Sequence, residues 1–333
     1  MTTQDDESLA TATGAATAVD VVTFGETMGL LAADDVGPLR NGHRMLLGVA
    51  GAESNVAIGL ARLDRTVAWA GRVGADPIGQ LVLRELRAEG VDVTAATIDM
   101  AAPNGFMLKV RRTTATSEVL YARRGSAGSR ITSADLPTEL LASARVLHIT
   151  GITPALSESA RGAVWVAIET AHAHGVRISL DVNYRRALWS DEADAGRLLS
   201  DLAAHADFVF ASEHEAELIV GACDPREAVE RLGKLGPGHA VVKRGELGFM
   251  ASIDGEYIAD TAVTVPVADP VGAGDAFVAG YLASWLDGMN AADALAVANL
   301  AGAFVVAVPG DWEGLPTRAE LHAFASRTDA VTR

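Results

Sequence analysis

Residues 145–183 read RVLHITGITPALSESARGAVWVAIETAHAHGVRISLDVN. Two apolar runs, 145–151 and 176–183, enclose a segment with helical spacing that ends at Gly175, a residue type common at helix C-termini. Both runs are rich in Val, Ile and Leu, which is typical of parallel strands covered on both faces. The stretch predicts a strand, a crossover helix and a second, parallel strand.

The same alternation extends in both directions along the chain. Further buried strands are predicted at 19–25, 66–72, 206–212 and 239–245, with one more strand after residue 254. Helical patterns lie at 55–64, 78–90, 193–205, 213–221 and 226–236, and three more close the chain at 274–288, 291–307 and 317–326. Strand–helix alternation of this length predicts a doubly wound α/β sandwich with a mostly parallel sheet.

Two stretches, 26–49 and 104–124, break this rhythm with short alternating strands and turns. Within the second stretch, 106–112 and 118–123 predict a hairpin. We interpret both as a small β-sheet lid inserted into one domain over 19–330. Residues 1–18 are predicted to be a disordered tail, since they lack the basic and apolar regions of a signal peptide.

Composition excludes several classes of function. The 333 residues carry 27 Lys and Arg against 43 Asp and Glu, a formal net charge of −16, which disfavours a nucleic-acid partner. The longest apolar run, 300–308, is far shorter than the roughly 20 residues of a membrane span. The single cysteine, Cys223, excludes a disulfide framework. We therefore expect a soluble, cytoplasmic protein.

The strongest chemical signal is DPVGAGDAFVAG at 269–280, where a helical pattern begins. Gly272, Ala273 and Gly274 lie at the junction, where free backbone N–H groups form an anion hole suited to a transferring phosphoryl group. Asp275 would stand beside this hole and could accept a proton from an attacking hydroxyl. The spacing alone leaves a second interpretation open, in which Asp275 caps its own helix.

This motif and AGAESNVAIGLARL at 50–63 resemble the two signatures of the ribokinase-like (PfkB) sugar kinases. The likeness runs from about Asp20 to Ala325. The resemblance implies a three-layer α/β/α fold with a β lid, Mg·ATP as phosphoryl donor, a sugar hydroxyl as acceptor and Asp275 as catalytic base. A monovalent cation is a further candidate cofactor. We also expect a homo-oligomer, a dimer formed through the lid.

Four shorter stretches are similar to the 2-keto-3-deoxygluconate kinase branch of that family: GETM (25–28), YARRGSAG (121–128), GIT (151–153) and DVNYRRALW (181–189). Tyr121 and Arg123 share one face of a lid strand. Arg185 follows the carboxyl end of a strand, where open α/β sheets bind ligands. Two converging guanidinium groups suit a carboxylate, so we predict a sugar acid. The alternative is that Arg123 pairs with surface acids.

The resemblance also assigns the remaining site residues. Those on the substrate side are Glu26, Gly51, Ala52, Asn55 and Met107; those on the nucleotide side are Asn183, Ser212, Lys243, Gly245, Gly248 and Asn299; Glu215 is associated with Mg²⁺ and phosphate. Met107 stands where the keto-acid kinase branch often has tyrosine, and Ser212 replaces an asparagine of the family.

Purely structural roles are the alternatives for two of these residues: Asn55 could cap a helix, and Asn299 could be a buried asparagine whose hydrogen bonds are made within the core. For the whole protein, the alternatives are a neutral-hexose or nucleoside kinase and a non-catalytic sugar-binding protein. Asp275 and the intact glycine loop favour catalysis, because a binding protein needs no base.

Overall fold

Eight strands form the central sheet of the computed structural model, which describes residues 19–113 and 117–330. In spatial order they are β14 (Glu256–Asp260), β13 (Phe249–Ile253), β12 (His239–Lys243), β11 (Phe208–Ser212), β10 (Arg177–Asp181), β9 (Val146–Thr150), β1 (Val21–Phe24) and β4 (Val67–Ala70). The strands from β12 to β4 are parallel, as the sequence predicts, and β13 and β14 are antiparallel. The tail predicted at 1–18 lies outside the described residues.

Helices cover both faces of this sheet. One face carries α1 (Ala52–Arg62), α2 (Pro77–Ala88), α9 (Ala273–Leu286), α10 (Ala291–Val306) and α11 (Arg318–Ala330). The other face carries α3 (Thr138–Ser143), α4 (Thr153–Leu156), α5 (Glu158–His174), α6 (Glu192–Ala204), α7 (Glu213–Val220) and α8 (Pro225–Gly233). None of these helices, over the ranges described, is long and apolar enough to cross a membrane.

Alternation along each strand feeds two separate hydrophobic cores. On β1, Val21 packs in the core beneath α1 and α9, whereas the next residue, Val22, packs in the core beneath α5. Because successive side chains of a strand point to opposite faces, a continuous apolar run fills both cores at once. The predicted three-layer sandwich is therefore confirmed.

The lid is a separate four-stranded sheet with the order β3, β2, β7, β8. Its strands are β2 (Met28–Ala33), β3 (Met45–Ala50), β7 (Phe106–Arg111) and β8 (Ser117–Ala122). They come from the two stretches that break the strand–helix rhythm, and the predicted hairpin is β7–β8. Met28, Leu30, Ala50 and Met107 form a small apolar cluster of its own.

Not predicted from the sequence are β13, the short helices α3 and α4, and a two-stranded sheet of β5 (Arg72–Gly74) and β6 (Thr97–Asp99). A signal for β13 was present. Asp254-Gly255 separates β13 from β14, and both residues have positive φ, as in the two-residue turn that Asp-Gly favours in hairpins. The glycines just before β13, Gly245 and Gly248, were interpreted as part of a nucleotide-binding loop instead.

Candidate active site

A cleft of about 1200 Å³ lies between the lid and the carboxyl edge of the parallel strands. Every site residue predicted from the sequence lines it: Glu26, Gly51, Ala52, Asn55, Met107, Tyr121, Arg123, Asn183, Arg185, Ser212, Glu215, Lys243, Gly245, Gly248, Gly272, Ala273, Gly274, Asp275 and Asn299. The edge of the sheet gathers them because all parallel strands end there.

The start of α9 is an open helix terminus. Its N-cap is Gly272, which has a left-handed backbone (φ 80°) and no side chain to cap the helix. A Cβ at this position would overlap the backbone oxygen of Asp311, so only glycine fits. In the described chain, no protein acceptor takes the N–H groups of Ala273, Gly274 and Asp275. They remain available for an anion.

Asp275 is the third residue of α9, and its side chain does not cap the helix. The carboxylate instead accepts a hydrogen bond from the Asn55 amide at 2.8 Å, across 220 residues of sequence. Burial, together with the nearby carboxylates of Asp181 and Asp311, raises the pKa of Asp275 to about 7 against the opposing effects of Asn55 and Lys243. A carboxyl group tuned near neutrality is suited to general-base catalysis.

Lys243 lies beside the anion hole. Its ammonium group forms an ion pair with Asp181 at 2.8 Å and would be 3.1 Å from a Cβ built at Gly274. Burial opposes its charge, but Asp181 and Glu215 keep the pKa of Lys243 above its usual value. Asn183 donates to the same Asp181 at 3.3 Å. The sequence analysis missed Asp181, although an aspartate that ends a buried strand was a visible signal.

Glu215 is held in a capping box at the start of α7. Ser212 Oγ accepts the N–H of Glu215, and Glu215 Oε2 accepts the N–H of Ser212 at 2.7 Å. Its other oxygen, Oε1, accepts the N–H of Tyr184 at 2.7 Å. The Ser-x-x-Glu pattern of 212–215 is the sequence signature of such a box. Only a metal role was predicted for Glu215.

The outer nucleotide side is built on turns and one helix. Gly248 has positive φ (88°), and a Cβ there would overlap the backbone oxygen of Asp260, so the turn before β13 itself requires glycine. Gly245 has open space around its Cβ position. The Asn299 side chain, on α10, lines the cleft and donates to the backbone oxygen of Thr261 at 2.8 Å.

The start of α1 forms the floor of the acceptor end. Its N-cap is Gly51, which corrects the alternative that Asn55 caps the helix. Gly51 and Ala52 are close to the 26–27 segment, since a Cβ at Gly51 would lie 2.6 Å from the backbone oxygen of Glu26. Close packing within the protein thus requires a glycine at this position.

The lid places its aromatic and basic residues over that floor. Met107 pairs with Tyr121 across β7 and β8, and the Arg123 guanidinium lies 5.7 Å from the centre of the Tyr121 ring. Arg123 also forms a buried ion pair with Glu26 at 2.6 Å. The alternative partner considered from the sequence was a surface acid, whereas the actual partner is buried and fixes the guanidinium.

Arg185 differs from Arg123 in its surroundings. It follows β10 and is exposed, and among the described residues its one acceptor is the backbone oxygen of Tyr184 at 3.3 Å. No carboxylate in the described ranges forms an ion pair with it. Both arginines line the cleft; Glu26 compensates the charge of Arg123, whereas no carboxylate of the described chain pairs with Arg185.

Two further groups in the cleft were missed from the sequence. Lys109 of the lid forms a buried ion pair with Asp269 of the glycine motif at 2.6 Å. Glu53, on α1, accepts hydrogen bonds from Thr150 and Thr153 at 2.6 Å, and burial raises its pKa. Each contact joins residues roughly 100 or more positions apart, and no local pattern announces such pairs.

A family model described as pfkB family carbohydrate kinase matches residues 18–318, nearly the whole chain. This chain belongs to that family. As a PfkB carbohydrate kinase it has the ribokinase-like fold and the sugar-kinase activity that the two signatures imply, and these expectations are confirmed.

Relatives of this PfkB kinase include two curated proteins named 2-dehydro-3-deoxygluconokinase. The one from Bacillus subtilis (strain 168) is 37% identical over 94% of this chain and 97% of the relative. The one from Thermoproteus tenax is 37% identical over 91% of this chain and 93% of the relative. A crystal structure of 2-dehydro-3-deoxygluconokinase from Thermotoga maritima superposes with a TM-score of 0.85, at 26% identity over 93% of this chain and 99% of that one.

Proposed function

We propose that this kinase transfers the γ-phosphoryl group of ATP to a hydroxyl of a sugar acid. The first acceptor to test is 2-keto-3-deoxygluconate, the compound that the relatives' names call 2-dehydro-3-deoxygluconate. The observation that carries the proposal is Arg185, which no described carboxylate pairs with and which lines the same cleft as Asp275 and the lid residue Arg123. In a chain with a net charge of −16, a local cation is needed to bind an anionic sugar.

Asp275 acts as the base in this proposal. Its ionised carboxylate takes the proton of the acceptor hydroxyl, whose oxygen forms a bond to the γ-phosphorus while the bond to the β,γ-bridging oxygen of ATP breaks and ADP leaves. The free N–H groups at the start of α9 face the negative charge on the transferring group. Lys243, beside Gly274, adds a positive charge on the nucleotide side.

The donor set favours a magnesium ion carried mainly by the nucleotide. Over the described residues, no group of three or more His, Cys, Asp or Glu side chains converges on one point. Mg²⁺ usually keeps several waters and binds substrate phosphates with one or two carboxylates. Glu215 and Asp181 would hold it through water, since their oxygens already accept hydrogen bonds from the protein. When bound, the ion neutralises phosphate charge.

Acceptor binding divides between a fixed and a free arginine. Glu26 accepts from Arg123 and from Ser126, so it orients the guanidinium rather than binding substrate. The Arg123–Glu26 pair has no net charge, so Arg123 contributes only its remaining N–H groups as hydrogen-bond donors, and Arg185 supplies the positive charge. A neutral sugar would leave Arg185 without a partner.

The test is a coupled assay that compares sugar acids with ribose, fructose and nucleosides. Because a charged hydrogen bond contributes roughly 1.5–3 kcal/mol, Arg185→Ala should raise KM for the acid by about ten- to a hundredfold. KM for any neutral sugar that is turned over should hardly change. Arg186→Ala is the matched control, since Arg186 donates to the Trp189 backbone oxygen and does not line the cleft. Efficient phosphorylation of a neutral sugar, with every acid poor, would overturn the sugar-acid assignment.

A dimer formed through the lid is part of the proposal. On the lid's outer face, Leu47, Leu31, Leu108 and Leu120 stand in register across all four strands. Leu47 and Leu120, on the two edge strands of the lid, are more than half exposed. A second copy of the same face would cover this apolar row. Sedimentation of Leu120→Asp should give a smaller species than the native protein; an unchanged dimer, or a native monomer, would contradict this.

A further inference from the structure

The loop between α10 and α11 brings a second carboxylate to the catalytic base. Asp311 Oδ2 lies 3.3 Å from Asn55 Nδ2, the same nitrogen that donates to Asp275 at 2.8 Å. An amide nitrogen has two hydrogens, and ionised carboxylates only accept. One hydrogen therefore goes to each acid, and Asn55 links two carboxylates that are 36 positions apart in the sequence.

The loop that carries Asp311 is braced from several sides. The Glu313 carboxylate accepts the N–H groups of Asp311 and Trp312, at 2.7 and 3.1 Å. The Trp312 indole donates to the backbone oxygen of Val49 at 3.0 Å. The backbone oxygen of Asp311 fills the space that a side chain at Gly272 would need. These contacts together hold Asp311 against the start of α9.

We propose that Asp311 is a positioning residue for phosphoryl transfer: it sets the charge felt by Asp275 and fixes the Asn55 amide so that its oxygen faces the acceptor. The Asn55 oxygen is buried and has no partner among the described residues. Since both amide hydrogens are engaged, that oxygen is the atom of Asn55 left to accept a substrate hydroxyl. The inference rests on the proposed role of Asp275 as base.

Other charged groups around the pair define the electrostatic setting. Asp275 faces Asp181 from β10 and Lys243 from β12, in addition to Asn55 from α1 and Asp311. Asp311 faces Lys109 from the lid, Asp269 from the glycine motif and Glu313 from its own loop. Burial, together with the carboxylates of Glu313 and Asp269, raises the pKa of Asp311 to about 6 against the opposing effects of Asn55 and Lys109. An ionised Asp311 raises the pKa of Asp275, because a neighbouring negative charge disfavours ionisation.

The experiment is a pH profile of kcat/KM for the acceptor at saturating Mg·ATP. In the native enzyme, kcat/KM should fall tenfold per pH unit below about 7, where Asp275 becomes protonated. Asp311→Asn loses the charge but can still accept the Asn55 N–H. It should move this limb to lower pH by about one unit with little change in KM, because a neighbouring negative charge is gone. Asp311→Ala should move the limb equally and also raise KM several-fold.

Asp64→Asn is the control for the loss of one carboxylate charge, because Asp64 pairs with Arg318 at the surface and does not line the cleft; the acid side of its pH profile should stay with that of the native enzyme. The inference would be overturned if Asp311→Asn, shown to be folded by circular dichroism, had an acid side of the kcat/KM profile within about 0.2 pH unit of that of the native enzyme. The role of Asp275 as base is tested separately. If Asp275→Asn keeps its turnover, the proposed function fails. If Asp275→Asn is inactive but Asp311→Asn does not shift the pH profile, the role of Asp311 alone is refuted.

Discussion

The starts of α7 and α9 look alike in sequence and differ in chemistry. Both helices begin at the carboxyl edge of the sheet, and both carry an acid at their third position, Glu215 in α7 and Asp275 in α9. Glu215 bonds back to the N–H of Ser212 and to that of Tyr184. Asp275 makes neither kind of contact and meets the Asn55 amide instead.

The residue at the N-cap explains the difference. Ser212 offers a hydroxyl and an ordinary extended backbone, so a glutamate three positions later can close the capping box. Gly272 offers no side chain and has a left-handed backbone, which leaves the N–H groups of α9 open. An acid near an uncapped helix start is available for chemistry, whereas one near a capped start is largely committed to the fold.

The largest expected effect is at Asp275. Asp275→Asn should lower kcat by about 10²–10⁴-fold with little change in ATP affinity, because a positioned base is lost. The folded pKa of about 7 lies above that of the unfolded chain, so this group's contribution to stability is full below about pH 4 and is lost as pH rises through 7. The variant should therefore unfold at a higher temperature than the native protein at pH 8, with a smaller difference at pH 5.

Those two readouts separate chemistry from folding. A variant with near-native turnover would show that the acid of α9 is no freer for catalysis than that of α7. A variant that is inactive and also less stable at pH 8 would indicate a structural role for the Asp275 carboxylate.

The next effect concerns the open N–H groups. Gly274→Val would place a side chain against Lys243 and over the anion hole, and should lower kcat about 10²-fold, as loss of a preorganised donor does. Gly162→Val in α5 is the matched control, because the Cβ position of Gly162 has open space around it. Steady-state kinetics on both folded variants checks this. Full kcat in Gly274→Val would refute the anion hole.

The smallest effects are expected at the capped helix. Ser212→Ala should lower the free energy of unfolding by about 0.5–2 kcal/mol, the usual effect of losing an N-cap side chain, while kcat stays within a few-fold. Glu215→Gln should raise the Mg²⁺ concentration needed for half-maximal rate, measured by titration. An unchanged Mg²⁺ requirement would leave Glu215 as a capping residue only, and a fall in kcat as large as that of Asp275→Asn would erase the contrast between the two helices.

Sequence alone determined the fold class and many of the residues that line the cleft, but not Asp181, Lys109, Glu53 or Asp311. Alternating apolar runs and helical spacing are local properties, and each run placed its strand within a few residues of the observed bounds, as in β9 and β10. The DPVGAGD motif located the anion hole because free N–H groups at a helix start follow from backbone geometry alone. Glycine and polar residues at strand ends then gathered at one edge, since parallel strands share a direction.

Tertiary structure decided which of those residues bond to each other. Glu26 neutralises Arg123, Lys109 pairs with Asp269, and Asn55 joins Asp275 to Asp311 across 220 and 256 residues. Such pairs depend on how separate elements pack, and no periodicity along the chain encodes the distance between them. Burial acts in the same way: it raises the pKa of Asp275 only once the lid, α1 and the last loop enclose it, so the sequence could name the base but not its charge state.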